Sequence, residues 1–213
     1  MLTLYYNPGS CSLASHAALE EAGLPFAIER VDLTAGANDT GAYRAKNPWG
    51  RVPALEVEGQ ILTENVAILS YIADQAPERR LLPPPGTFER ARATEWLALL
   101  SSTVHVAFRP IFRPGRLASS PEGQADVTAV GLASLQRTLA LVEERLGDAP
   151  YTLGDQFSVC DLYLFVFVLW SHRPSLDGKL ERVEGLDRFG ARLAQRASVK
   201  AALASEGLSS PFG

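Results

Sequence analysis

The chain opens with Leu2, Leu4 and Tyr6 set against Thr3 and Tyr5, and that alternation at period two predicts a strand. Beyond Ser12 the period changes. Ala14, Ala17, Ala18 and Ala22 recur at helical spacing until Gly23, which supplies the stop. Phe26, Ile28 and Val31, with charges between them, predict a second strand, and the helical connection makes the two strands parallel. Leu33 to Gly41 is rich in Thr, Gly, Asn and Asp and reads as a loop. A short helix over Ala42 to Lys46 follows, stopped by Asn47-Pro48-Trp49-Gly50. Strand alternation resumes over Arg51 to Val57, turns at Glu58-Gly59 and returns as Gln60-Ile61-Leu62, a hairpin. Thr63 is expected to cap a helix whose face is Ile68, Leu69, Ile72, Ala73 and Ala76, ended by Pro77.

Leu81 to Gly86, Leu-Leu-Pro-Pro-Pro-Gly, is a stiff, polyproline-like linker across which composition changes. It divides an expected first domain, residues 1–80, from a second, residues 87–213. Beyond it nearly all the periodicity is helical. One stripe is Phe88, Arg92, Trp96, Leu100 and Val104, and another, after a loop from Arg113 to Gly123, is Leu132, Leu135, Leu139, Val142 and Leu146. Ser158 and Asp161 have the spacing of a capping box, and the helix they start, Leu162 to Trp170, is apolar nearly all round. That helix is the expected centre of the second domain. Leu186, Phe189 and Leu193, then Val199, Ala202 and Leu203, supply outer helices, with Gly207 ending the last. The expected fold is α/β followed by all-α: an N-terminal thioredoxin-like domain (βαβ-ββα) and a C-terminal helical bundle domain.

Totals narrow the function classes. A net charge of -4 and a pI near 5.5 give no concentrated basic face for nucleic acid. The longest apolar run is too short to cross a bilayer, and the start lacks a basic leader, so no membrane association and a cytoplasmic location are expected. Cys11 and Cys160 are too far apart in sequence to form a disulfide framework. With His16, His105 and His172 scattered, no metal site is expected either.

The chemistry concentrates in Asn7-Pro8-Gly9-Ser10-Cys11-Ser12, the elbow from the first strand into the first helix. Ser10 or Ser12 can cap that helix, leaving Cys11 where unpaired N–H groups gather. An ordinary thiol is only about 3% ionised at neutral pH, and making thiolate the majority form takes roughly 2 pKa units, ~2.7 kcal/mol. A helix dipole supplies ~0.3 to 1 kcal/mol at an exposed site. A hydrogen bond to the charged sulfur, from Ser10, Ser12 or a backbone N–H, closes the gap at ~1.5 to 3 kcal/mol. Read from the residues alone, Cys11 is equally a small side chain packed under the elbow, and Pro53 an edge-strand proline of either isomer. Cys160 reads as a packing residue in the first turn of the apolar helix.

Four stretches together carry a resemblance: Tyr5 to Leu13, Asn47 to Leu55, Leu62 to Ile68 and Phe157 to Phe165. In that order, and down to Ala202-Leu203-Ala204-Ser205-Glu206-Gly207-Leu208, the chain resembles bacterial glutathione S-transferases, most closely the beta class. The resemblance implies glutathione as co-substrate, a small apolar electrophile as its acceptor, a homodimer and a detoxifying transferase activity. It implies that Cys11 lies beside the glutathione sulfur with Ser12 as its hydroxyl neighbour, and that Val52 pairs its backbone with the cysteinyl unit beside a cis Pro53. Glu64 and the N–H of Asn65 then hold the γ-glutamyl end, and His105 faces Cys11 across the cleft. Without the resemblance, His105 is a half-buried helix residue and Glu64 a favourable first-turn acid.

The chain departs from the family pattern where Gly36 and Ala37 stand for a loop lysine and Trp49 for the lysine of Asn-Pro-Lys-Gly. Asn65 stands for glycine or serine, and Ala98, Thr103 and Val106 for Asn, Glu and Lys. Arg44, Lys46 and Arg51 are the cations able to compensate. Phe108, Phe112 and Trp170 are the candidate walls for an electrophile. Two other classes remain open: a glutathione-dependent thiol–disulfide exchanger or peroxidase working through Cys11, and a non-catalytic binding protein on the same scaffold.

Overall fold

The computed structural model describes residues 1–212. Strand β1 (Leu2–Tyr6) leads through the elbow into α1 (Ser12–Ala22), and β2 (Phe26–Arg30) returns parallel to β1, with Leu4 opposite Ile28. After the short α2 (Gly41–Lys46), β3 (Ala54–Val57) and β4 (Gln60–Thr63) form an antiparallel hairpin that adds to the other side of β1. The sheet order is β2-β1-β3-β4, and α1 and α3 (Asn65–Gln75) cover it. Glu58 and Gly59 both have positive φ, as a two-residue hairpin turn requires.

Two local expectations are corrected in this half. The strand expected from Arg51 starts only at Ala54, because Pro53, cis in its bond to Val52, has no N–H to offer the ladder. Thr63 does not cap α3 but ends β4; the cap position falls on Glu64, whose φ of 68° is unusual for a residue with a Cβ and whose side chain caps nothing.

In the connection to the helical half, Leu81, Leu82 and Pro83 are buried, and the Leu81 carbonyl accepts from the Val159 N–H at 3.0 Å. Helix α4 (Phe88–Leu99) runs into a π turn (Leu100–Val104) and the short α5 (His105–Ala107) and α6 (Arg109–Phe112). The stripe read at every fourth residue drifts by roughly 40° per step on an α-helix. Phe88 and Arg92 accordingly face water, the guanidinium lying over the ring. The buried side is Ala93, Trp96, Leu97, Leu100, Val104 and Phe108. Helix α7 (Pro121–Leu146) takes the last three residues of the expected loop, capped by Ser120.

Helix α8 (Val159–Ser171) is the centre of the second half. Every residue from Val159 to Val168 is buried, and at about 1.5–3 kcal/mol per large apolar side chain it supplies much of the driving force for packing. The Ser158–Asp161 capping box forms as read, and Cys160 packs fully buried with its Sγ 3.4 Å from the Ala93 carbonyl. Helices α9 (Glu184–Ala194) and α10 (Ala197–Ser205) close the bundle, with α10 also against α1. Among the described residues no helix is long and apolar enough to cross a membrane, and no three His, Cys, Asp or Glu side chains converge as a metal site.

Candidate active site

The elbow is fixed from both halves of the chain. The carbonyl of Gly9 accepts from Trp170 Nε1 at 2.9 Å and from an Arg173 guanidinium nitrogen at 2.6 Å, while the Gly9 N–H donates to Glu206 Oε2 at 2.9 Å. The other Glu206 oxygen lies 2.9 Å from His16 Nδ1, and both side chains are buried. Gly9 itself has φ +67°, which a side chain seldom adopts, and Leu208 lies 3.6 Å from where its Cβ would be. Trp170 was expected only as a wall residue for an electrophile, and Arg173, Glu206 and His16 were not among the expected site residues. The partners of these four lie 161, 164, 197 or 190 positions away in sequence, beyond any local pattern.

Under the elbow, Cys11 is buried and its Sγ lies 3.5 Å from the Val52 carbonyl. Burial pushes the Cys11 thiol up to about 12. Its own N–H pulls it partly back, Glu64 adds to the rise, and Arg51 offsets a little. Of the two readings the residues left open for Cys11, this favours the small packed side chain: the helix terminus is present, but desolvation outweighs it. The serine hydroxyls do not rescue it. Ser12 Oγ meets Ser10 Oγ at 2.7 Å and the main chain of Asn7 at 3.3 Å, and Ser10 Oγ accepts from the Ser12 N–H. Both shape the turn rather than touch the sulfur. The cap position is Cys11 itself, with no side-chain cap.

Across from the sulfur, the Val52 N–H has no partner among the described residues. A sheet-like edge therefore stays open just before Pro53. Tyr43 and Asn47 donate to the Arg51 carbonyl at 2.7 and 2.8 Å and hold that edge from behind. Asn65 braces the site. It accepts from Ser15 Oγ at 2.5 Å and donates to the Cys11 carbonyl at 2.8 Å, joining the start of α3 to the elbow. Glu64, exposed beside it, has no cation partner among the described residues.

The structure separates the three candidate cations. Arg44 is held by Asp39 and the Pro48 carbonyl, and Lys46 by Glu56 beneath the Tyr5 ring. Arg51 has no acid partner among the described residues, and its charge acts on both Cys11 and His105. His105 sits on an aromatic wall, 5.1 Å from the Trp170 ring and 5.5 Å from Phe167. Burial first, then the charges of Arg109 and Arg51, lower it to about 4, so it is neutral at physiological pH. Of the expected wall residues, Phe112 and Trp170 stand at the front and Phe108, fully buried, backs them at 5.5 and 5.4 Å.

A thiol elbow, an open main-chain edge beside a cis proline and a covering helical half define a thioredoxin-like domain followed by a helical one. Residues 1–74 match the family model "Glutathione S-transferase, N-terminal domain", and residues 125–191 match "Glutathione S-transferase, C-terminal domain". The chain is 39% identical over 209 residues to the glutathione S-transferase GstA of Escherichia coli O157:H7, covering 97% of this chain and all of that one. Its fold matches a Sulfitobacter glutathione transferase homologue solved with bound glutathione (38% identity, TM-score 0.87, 98% and 99% covered). It also matches a beta-class glutathione S-transferase of Sphingomonas chungbukensis (40% identity, TM-score 0.83, 97% and 100% covered). The chain belongs to the glutathione S-transferase family.

Proposed function

We propose that this protein conjugates the thiol of glutathione to small electrophiles in the cleft between residues 1–80 and residues 87–213. The observation that carries the reading is the Val52 N–H, unpaired among the described residues and set beside the Cys11 sulfur, at an edge to which a short peptide adds by strand pairing. The cysteinyl unit of glutathione pairs with Val52. The γ-glutamyl carboxylate meets the Asn65 N–H at the start of α3, and its ammonium meets Glu64. Arg51, the cation left without an acid, takes the glycyl carboxylate.

Cys11 serves as a neutral thiol that donates a hydrogen bond to the glutathione thiolate. Neutral His105 forms part of the electrophile wall, while Ser10, Ser12 and Asn65 hold the elbow's shape. Proximity and an anion-favouring site do the work, and no metal is needed. Two copies associate, with Val130 and Leu141, exposed about three turns apart on α7, as apolar surface for contact, in the cytoplasm. Exchange or peroxidase chemistry through Cys11 is disfavoured, because it needs the thiolate that burial suppresses.

The test is retention on immobilised glutathione followed by conjugation of 1-chloro-2,4-dinitrobenzene. Retention with turnover supports the reading; neither, at millimolar glutathione, leaves a non-catalytic binding protein.

A further inference from the structure

Behind the glutathione cradle, the aromatic wall carries cations that no acid answers. The Arg173 guanidinium lies 4.9 Å from the Phe112 ring and 5.1 Å from the Trp170 ring, held flat by cation–π contact and by its bond to the Gly9 carbonyl. It is half-buried, and no carboxylate lies within ion-pair distance of it among the described residues. Burial and then the charge of Arg113 depress its basicity, so the nearest influential charge is another cation. On the other side of Trp170, His105 feels Arg109 in the same way. Neither Arg109 nor Arg113 has an acid partner among the described residues. A half-buried cation with like charges around it and no counter-ion is costly, and an arriving anion relieves that cost.

We propose, resting on the transferase reading above, that the second substrate is an aromatic or conjugated electrophile bearing a carboxylate or sulfonate. Its flat frame lies on Phe112 and Trp170, and its anionic group meets Arg173 with Arg113 and Arg109. A planar guanidinium matches such a group with two parallel hydrogen bonds. This narrows the apolar electrophile expected from the resemblance to one with an apolar body and a charged end.

The probes are 1-chloro-2,4-dinitrobenzene and its anionic counterpart 4-chloro-3,5-dinitrobenzoate. In both reactions the glutathione sulfur bonds to the ring carbon carrying chlorine, chloride leaves with the C–Cl electron pair, and the thiol proton passes to solvent. Each kcat/KM is divided by the uncatalysed rate with glutathione, and the ratio of the two normalised values is read. Any general loss of folding or glutathione binding cancels in it.

The expected ratio favours the benzoate by about tenfold at low salt, the worth of one charge-assisted hydrogen bond. It falls towards one in the double variant Arg109→Gln, Arg113→Gln and on raising salt, and Arg173→Lys, which keeps the charge but loses the fork, lowers it partway. A ratio at or below one with the neutral substrate still turned over overturns the proposal and leaves the transferase reading standing. Failure with both substrates overturns both. A high ratio that survives all three arginine changes overturns the assignment to this cluster.

Discussion

Alkylation of the native protein tests the charge state of Cys11 directly. At pH 8 a thiol with an ordinary pKa of about 8.5 is roughly one-quarter ionised, whereas one pushed up to about 12 is ionised in about one molecule in ten thousand. Because only the thiolate attacks iodoacetamide, Cys11 should react about three orders of magnitude more slowly than the same residue in the unfolded chain. Cys160, raised by burial to about 12 as well, should be equally inert. The assay is intact mass against time at pH 8 in buffer and in guanidinium chloride, with peptide mapping to tell the two cysteines apart. The unfolded chain takes up two adducts while the native chain takes up none, and the native rate climbs about tenfold per pH unit up to pH 10. Modification of native Cys11 within tenfold of the unfolded control, or a rate that levels off below pH 9, refutes the claim that desolvation outweighs the helix terminus. It would then favour the alternative of disulfide exchange through Cys11. The companion variant Cys11→Ala should lose any exchange activity yet keep conjugation within about tenfold, since a thiol is a weak hydrogen-bond donor.

Glu206→Ala removes the carboxylate joining His16 to the Gly9 N–H and leaves two buried polar groups unanswered. It should cost about 3 kcal/mol in urea unfolding and raise KM for glutathione, and a loss under about 1 kcal/mol would mean that the pair is dispensable. Asn65→Ala breaks the bonds to Ser15 and to the Cys11 carbonyl, so stability should drop by about 2 kcal/mol, read as a Tm lowered by several degrees. His105→Phe tests the buried imidazole. Its folded pKa of about 4 lies below the ordinary ~6.5, so as pH falls the unfolded chain takes up the proton first and the native state loses stability between pH 6.5 and 4. Relative to the variant, the wild type should therefore lose about 2.5 kcal/mol of unfolding free energy over that window, and a flat difference would show that His105 titrates normally.

What the sequence disclosed was local. The alternation of β1, the Gly23 and Gly207 stops, the Glu58-Gly59 hairpin turn and the Ser158–Asp161 box each depend on neighbours within a few positions, and each formed where it was read. The departures share another physical origin. Thr63 lost its capping role because β4 kept it in the ladder, and Phe88 left the core because a four-residue spacing does not follow an α-helix for long. Arg44, Lys46 and Arg51 looked equivalent along the chain; only folding put Asp39 against the first and Glu56 against the second. The tethers on Gly9 come from residues more than 160 positions away, and nothing local to Trp170 or Glu206 marks them as tethers beforehand.

The same distinction explains why the residues left the cysteine's charge open while they marked its position. A helix terminus can be seen in a sequence, and it favours an anion. Desolvation cannot, because it depends on how tightly Val52 and the helical half close over the sulfur. The structure puts the two effects at different depths: Cys11 is buried, while Arg51 is exposed with no acid partner among the described residues, and Arg173, Arg109 and Arg113 flank the aromatic wall. At an effective dielectric of about 20, one cation about 6 Å from a sulfur is worth ~3 kcal/mol, close to the ~2.7 kcal/mol that makes a thiolate the majority form. A sulfur carried into the mouth by a bound peptide gains that attraction without the burial that cancels it for Cys11. The cleft therefore favours ionising the visiting thiol over the resident one, as conjugation requires and disulfide exchange through Cys11 does not.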